Sequence, residues 1–268
     1  MAKSTRGGKA GATTAFTLRQ PAFHPVTNPR PTPQPVPQPV VQPAPQPVIS
    51  ANFDAFRKMT DDQKADVISQ AAKTQVPVFL ADNDLQKVLY GLKLNDKPTL
   101  VDDSVLDTMP GKELFRTINA SANQQYRMKF NATDIAQQTI RGSVARVSDS
   151  GGSVHGRGYY FADSYHGSTA YGKTRGNASQ TAVVRAKLSP TAKTISTSSA
   201  AAGVSREIAS GSKLGRALSK INSTDRTAVW SLAKGYDVMV AGNGYHVVVN
   251  RSALVASKTI NAMGYSWK

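Results

Sequence analysis

The chain has 268 residues, no cysteine, and 33 Lys+Arg against 17 Asp+Glu, a formal net charge of +16. These values exclude a disulfide framework, thiolate-held zinc and a thiol nucleophile; the aliphatic runs are too short to span a bilayer, and the basic N-terminus lacks the apolar segment of about 7–15 residues that a secretory signal needs. The positive excess suits a polyanionic partner such as nucleic acid, with a generally basic soluble surface as the alternative.

Charge and composition divide the chain into three segments. Residues 1–50 hold five basic residues and no acid, and 11 of the 15 prolines fall between 21 and 47 in a Pro-Gln-Pro-Val pattern. Proline fixes φ and removes amide donors, so this stretch is expected to be a disordered, polyproline-II-like arm, serving as a plain linker or as a ligand for an aromatic groove. Residues 51–112 are expected to form a small helical subdomain. Thr60 to Gln63 has the spacing of a capping box, with Val67, Ile68, Ala71 and Ala72 following on one face. Leu85, Val88, Leu89 and Leu92 repeat at i, i+3, i+4, i+7, an amphipathic helix.

Residues 113–268 change character. Beyond Glu113 there are twenty basic residues and six acids, and strand patterns dominate. Glu113 to Ile118 reads as a strand, Thr133 to Ile140 as a helix, 142–158 as a Gly/Ser loop and Tyr159 to Ala162 as a buried strand. Thr181 to Leu188 alternates, which predicts a strand with one apolar face. The Ser/Ala-rich run around 196–202 reads as a loop. Leu214, Ala217, Leu218 and Ile221 mark a helix, and Ser223 or Thr224 can cap another that stops at Gly235. Asn243-Gly244 between two apolar runs is a hairpin signal. The fold class expected is α+β.

Much common chemistry is unsupported. No glycine-rich run is followed by the Lys-Ser/Thr pair of a P-loop. The four histidines have no metal-ligand spacing, and glutamate occurs only at 113 and 207, so no metal is expected. The densest signal is Gly156-Arg157-Gly158-Tyr159-Tyr160-Phe161-Ala162-Asp163, then Ser168 and Tyr171. Two phenol rings with a hydroxyl between them suit a flat polar ring, which they could stack on while the serine bonds an amide. An aromatic core strand is the alternative.

That block resembles the Gly-x-Gly-Ile-Tyr-Phe-Ala-Asp…Ser-x-x-Tyr segment of ADP-ribosyltransferases of the diphtheria-toxin and poly(ADP-ribose)-polymerase type. Tyr160, Ser168 and Tyr171 match it in identity and spacing. The resemblance implies a split β-sheet core with inserted helices, with NAD as substrate. The two tyrosines would sandwich the nicotinamide, Ser168 would hold its carboxamide, and Gly158 would let backbone approach. Leu114-Phe115-Arg116-Thr117 resembles the arginine version of the family's first-strand motif, in which Arg116 would grip ribose and phosphate, with Thr117 contributing backbone. The residues implied in catalysis are Arg116 and Tyr160. Ser196-Thr197-Ser198 also resembles the Ser-Thr-Ser of the family's Arg-Ser-Glu branch, which would pair with Arg116 and need a downstream glutamate, Glu207 being nearest.

One landmark departs from the pattern. The family's late-strand glutamate, which orients the ribose and stabilises the cationic centre, aligns with Gly244. Glu207, Glu113 and Asp237 are the acids considered in its place. Loss of a carboxylate aimed at developing positive charge costs about 3–4 kcal/mol in the transition state. The expectation is therefore transfer of a single ADP-ribose to a macromolecular acceptor, a protein, rather than chain elongation. The alternative is a catalytically inactive relative acting as a virion structural or nucleic-acid-associated protein, using the basic surface and the N-terminal arm. The ending, from Gly235 to Leu254, resembles the tails of such proteins encoded by tailed bacteriophages, which implies a host-cytoplasmic or virion-associated location and no membrane partner.

Overall fold

The computed structural model describes residues 53–77, 80–93, 97–119, 132–142, 145, 147, 155–173 and 181–262. The basic, Pro-rich arm and most of the Gly/Ser loop lie outside the described residues.

Helix α1 (Phe53–Lys58) buries Phe53 and Phe56. Helix α2 (Asp61–Ala71) begins at the expected capping box: the Thr60 hydroxyl accepts from the Gln63 amide at 3.3 Å, and the Thr60 amide donates to the Gln63 side chain at 2.9 Å. Helix α3 (Asp84–Gly91) buries Leu85, Val88 and Leu89, with Leu92 at its C-cap. This segment is not wholly helical. Thr99–Val101 is a strand, β1, followed by a short helix α4 (Asp103–Thr108).

The remaining elements are β2 (Glu113–Asn119), α5 (Ala132–Arg141), β3 (Tyr159–Ala162), α6 (Tyr165–Lys173), β4 (Thr181–Leu188), β5 (Thr194–Ser196), α7 (Thr197–Ala209), α8 (Lys213–Ser219), α9 (Ser223–Ala233), β6 (Val238–Val240), β7 (Tyr245–Val248), β8 (Leu254–Ser257) and β9 (Asn261–Ala262). The fold is α+β. Its strands join in one mixed sheet of order β1-β8-β4-β2-β3-β7-β6-β5, with β9 also on β4. The β1–β8 and β5–β6 pairs are parallel and the others antiparallel.

Two joins shape this sheet. β2 and β4 pair along seven residues, whereas β2 and β3 share the single register pair Phe115↔Ala162. The strands therefore diverge from that point, and the sheet is nearly divided between β2 and β3. β1 pairs with β8, so the segment before residue 113 contributes to the same sheet as the segment after it. All described residues belong to one compact unit, Pro47–Lys268, with no break at the expected 112/113 boundary.

Three local expectations are revised. β4 is buried along nearly its whole length, including Arg185 and Lys187, because it is covered on both faces rather than one. Arg185 pairs with Asp103, Asp107 and Glu113, and the Lys187 ammonium donates to the Met109 carbonyl at 2.6 Å. The Ser/Ala-rich run is helix α7, not a loop: alanine is the best helix former, and Ser196 caps the helix by accepting from the Ser199 amide at 3.0 Å. The α9 N-cap is Asn222, one residue before Ser223. Gly203 of α7 is required by packing, since a Cβ there would come within 2.3 Å of the Trp230 ring on α9.

Candidate functional site

The block singled out from sequence folds as strand β3 running into helix α6. Alternation along β3 separates its side chains. Tyr159 and Phe161 are fully buried, and the Tyr159 hydroxyl donates to the Ala145 carbonyl at 2.7 Å. Tyr160 lies on the other face, half-buried, and its hydroxyl donates to the Gly156 carbonyl at 2.5 Å. Gly158 is explained by the neighbouring strand: a Cβ there would meet Val247 Cγ1 at 2.5 Å and the Val248 carbonyl oxygen at 3.1 Å.

Ser168 is buried at 5% exposure on the first turns of α6. Its hydroxyl and that of Thr117 on β2 are 2.8 Å apart, so Thr117 meets Ser168 through its side chain. Next to it, Phe115 meets Tyr165 of α6 edge-on, with centroids 5.9 Å apart. Arg116 faces the opposite side of β2. Its guanidinium lies 5.8 Å from the Tyr159 ring centroid, and Nη1 donates to the Tyr160 carbonyl at 3.2 Å. The structure thus brings Arg116 to the backbone of Tyr160 and Thr117 to Ser168, around the point where β2 and β3 diverge. Tyr171 belongs to α6, but its side chain lies outside the described residues.

The acids proposed from sequence are engaged elsewhere. Glu113 pairs with Arg185. Glu207 accepts from the Ser212 hydroxyl at 2.6 Å and pairs with Lys234 at 2.9 Å. Burial opposes the charge on Glu207, but these two partners hold its carboxyl below the usual value. Asp237 is buried; its Oδ1 accepts from Arg57 at 2.5 Å and Asn250 at 2.6 Å, and its Oδ2 from the Lys193 amide at 2.8 Å. It is a structural hub. The Ser196-Thr197-Ser198 pairing with Arg116 also fails in space. Ser196 ends β5, four strands from β2, which is about 19 Å at ordinary strand spacing.

Other groups have no signature in the sequence pattern. Arg251 is fully buried and donates to the Thr139 and Gly142 carbonyls at 2.5 and 3.0 Å, at the end of α5. Its guanidinium lies 5.1 Å from the Tyr159 ring centroid, so that ring has Arg251 and Arg116 as neighbours. Arg157 pairs with buried Asp225 at 2.8 Å, and Asp225 also accepts from the Asp84 amide at 3.0 Å. Burial pushes the Asp225 carboxyl above its usual value, against the pull of Arg157. At the hairpin, Gly244 has φ +81°, and a Cβ on it would lie 2.7 Å from Asp163 Oδ1 and 2.9 Å from its Cγ. Asp163 pairs with Lys112 at 2.6 Å, and its amide donates to the Gly244 carbonyl at 2.9 Å.

His246 on β7 stands opposite Phe161. Its Nδ1 is buried with no hydrogen-bond partner among the described residues. Burial pushes its pKa below the ordinary 6.5, with Lys112 acting in the same direction and Asp163 against it. The folded state therefore favours the neutral ring. That contribution is present above pH 6.5 and is lost as pH falls through the lower folded-state value. His246→Gln is expected to flatten the loss of stability between neutral pH and about pH 5, measured by urea midpoints for both proteins at each pH.

Among the described residues, no cluster of His, Asp and Glu could hold a metal ion, and no helix is long and apolar enough to cross a membrane. No family model, no curated protein and no solved structure matches this chain.

Proposed function

We propose that the chain binds NAD in the manner of ADP-ribosyltransferases and transfers a single ADP-ribose to a macromolecular acceptor, a protein. The observation that supports this most is that two segments far apart in sequence meet twice, on opposite faces of β2: Arg116 with the Tyr160 backbone carbonyl and Thr117 with Ser168, at separations of 44 and 51 residues. These are the positions that the resemblance assigns to one substrate. The near-division of the sheet between β2 and β3 is also what a split core requires.

In this reading Arg116 holds ribose and phosphate oxygens, a task suited to a planar guanidinium fork. Tyr160 and Tyr171 hold the nicotinamide ring, and Ser168 its carboxamide, fixing the leaving group relative to the ribose before reaction. Gly158 serves this site indirectly, by letting β3 lie close against β7. Incubation with labelled NAD and a lysate is expected to label an acceptor, or the chain itself. Arg116→Ala and Tyr171→Ala are each expected to abolish labelling, and Arg116→Ala, which removes no large buried apolar group, to leave the melting temperature within about 3 °C. A wild-type chain that neither labels an acceptor nor releases nicotinamide refutes the enzymatic reading.

A second reading is favoured by the basic residues exposed on α7 and α8 and just after it, Arg206, Arg216 and Lys220. An inactive relative would use this surface, and the basic arm, against nucleic acid in a virion. Phosphate contacts release counterions, so such binding should fall steeply between about 50 and 200 mM salt. Binding to duplex DNA that is absent at the lower concentration, or unchanged at the higher, rejects it.

A further inference from the structure

Transfer from NAD develops positive charge on the ribose C1′, and a carboxylate aimed there stabilises it. Among the described residues, Glu113, Glu207, Asp225 and Asp237 are each tied to partners away from the β2/β3 divergence. We infer that Asp163 is the carboxylate of the site, supplied from the end of β3 in place of a side chain at position 244. The inference rests on the function proposed above.

Three observations carry it. Ala162 stands opposite both Phe115 on β2 and Tyr245 on β7. Asp163 is the next residue, so it lies at the point where all three strands meet. Its carboxylate already fills the space of a side chain at 244, as the 2.7–3.0 Å approaches of its three terminal atoms to a Cβ there show. Glycine at 244 is needed for that occupancy, not only for its positive φ. Asp163 also stands three residues along the chain from Tyr160, whose carbonyl receives Arg116. That spacing is about 10 Å along a strand, enough for a cation and an anion to contact opposite ends of one ribosyl group.

The carboxylate is accessible. Its side chain is 27% exposed, and its partner Lys112 is 67% exposed. A bridge of that kind is weak and can yield to a substrate hydroxyl. In the reaction the bond between C1′ and the nicotinamide nitrogen breaks, with its electron pair leaving on nicotinamide. Asp163 accepts a hydrogen bond from a ribose hydroxyl and faces the resulting cation. The acceptor nucleophile, or water in its absence, bonds to C1′ and gives its proton to solvent.

The test measures nicotinamide release from NAD by the full chain, NAD binding by thermal shift, and the melting temperature without NAD. Asp163→Ala is expected to slow release about 100-fold while NAD binding changes less than about threefold, and sodium formate should restore part of the rate by entering the vacated space. Gly244→Ala, which crowds the carboxylate without removing it, should also slow release while the variant still binds NAD. This second variant decides the matter if Asp163→Ala does not fold. A wild type that binds and cleaves NAD, with both variants as fast, overturns the role of Asp163 alone. A wild type that binds NAD without cleaving it also overturns that role, while leaving the binding site. A wild type that does not bind NAD overturns the proposed function and this inference together.

Discussion

Replacing Asp237 with alanine is expected to lower the stability of the fold by about 3 kcal/mol, a fall in melting temperature of about 6–12 °C for a unit of this size. The carboxylate is 3% exposed and holds three donors: the Arg57 guanidinium, the Asn250 amide group and the Lys193 backbone amide. The backbone of Asp237 is fully engaged too, since its carbonyl accepts from Val249 at 2.9 Å and Asn250 at 3.2 Å. Alanine leaves a guanidinium with its carboxylate removed and a buried amide with no acceptor. The effect falls at the lower end for a broken buried pair because the Arg57 side chain is 25% exposed and also donates to the Gly235 carbonyl at 2.8 Å. Asp237→Asn keeps the shape but turns a donor toward other donors, and is expected to cost about 2 kcal/mol. Urea denaturation measures both. The same variants separate structure from chemistry. If Asp237 served in catalysis, Asp237→Asn would lose nicotinamide release with little loss of stability. The expected result is the reverse: reduced stability, with the folded fraction as active as wild type.

How much of the fold is legible in the sequence depends on how local each cause is. The capping box at Thr60 and the α3 stripe at Leu85, Val88, Leu89 and Leu92 involve residues within one or two turns of each other. So does the Asn243-Gly244 turn, which joins β6 to β7. β1 has no such local cause: Thr99–Val101 becomes a strand only by pairing with β8, more than 150 residues later. The serines of α7 carry a loop signal when taken one at a time. Their place in a helix follows once Ala200, Gly203 and Val204 pack inward, with Gly203 against Trp230.

The candidate site divides in the same way. Residue types and spacings mark Tyr160, Ser168 and Arg116, but not which face of the strand each takes. Tyr159 and Tyr160 are adjacent and identical in type. Only the sheet around them makes the first a core residue and leaves the second half-buried on the other face. The buried charges are least legible. Asp237 reads as a free acid and is a hub. Arg251 reads as one more contribution to a basic tail, yet it is among the most buried side chains of the fold. Composition counts charges without showing where their partners lie.

Arg251→Met is expected to destabilise the fold by about 3 kcal/mol, although methionine nearly matches its length and apolar character would suit a buried position. The guanidinium answers two carbonyls at the end of α5, Thr139 and Gly142. The last carbonyls of a helix have no partners within it, and a cation there also meets the negative end of the helix dipole. Methionine leaves the buried Thr139 oxygen and the half-buried Gly142 oxygen without these charge-assisted donors. Lysine keeps the charge but replaces a fork with a single ammonium, so Arg251→Lys should recover only part of the loss, about 1 kcal/mol. The consequence reaches the candidate site through Tyr159, whose ring has both the α5-bound Arg251 and Arg116 as neighbours, their guanidinium carbons 5.1 and 5.8 Å from its centroid. A Tyr159 ring that loses one of these two neighbours holds the other less firmly. On the function proposed above, Arg251→Met should therefore weaken NAD binding at temperatures where the variant is fully folded. Denaturation midpoints and NAD thermal shifts on the variant and the wild type, run side by side, measure this difference. Equal NAD binding by both would show that Arg251 supports α5 alone and has no part in holding Arg116.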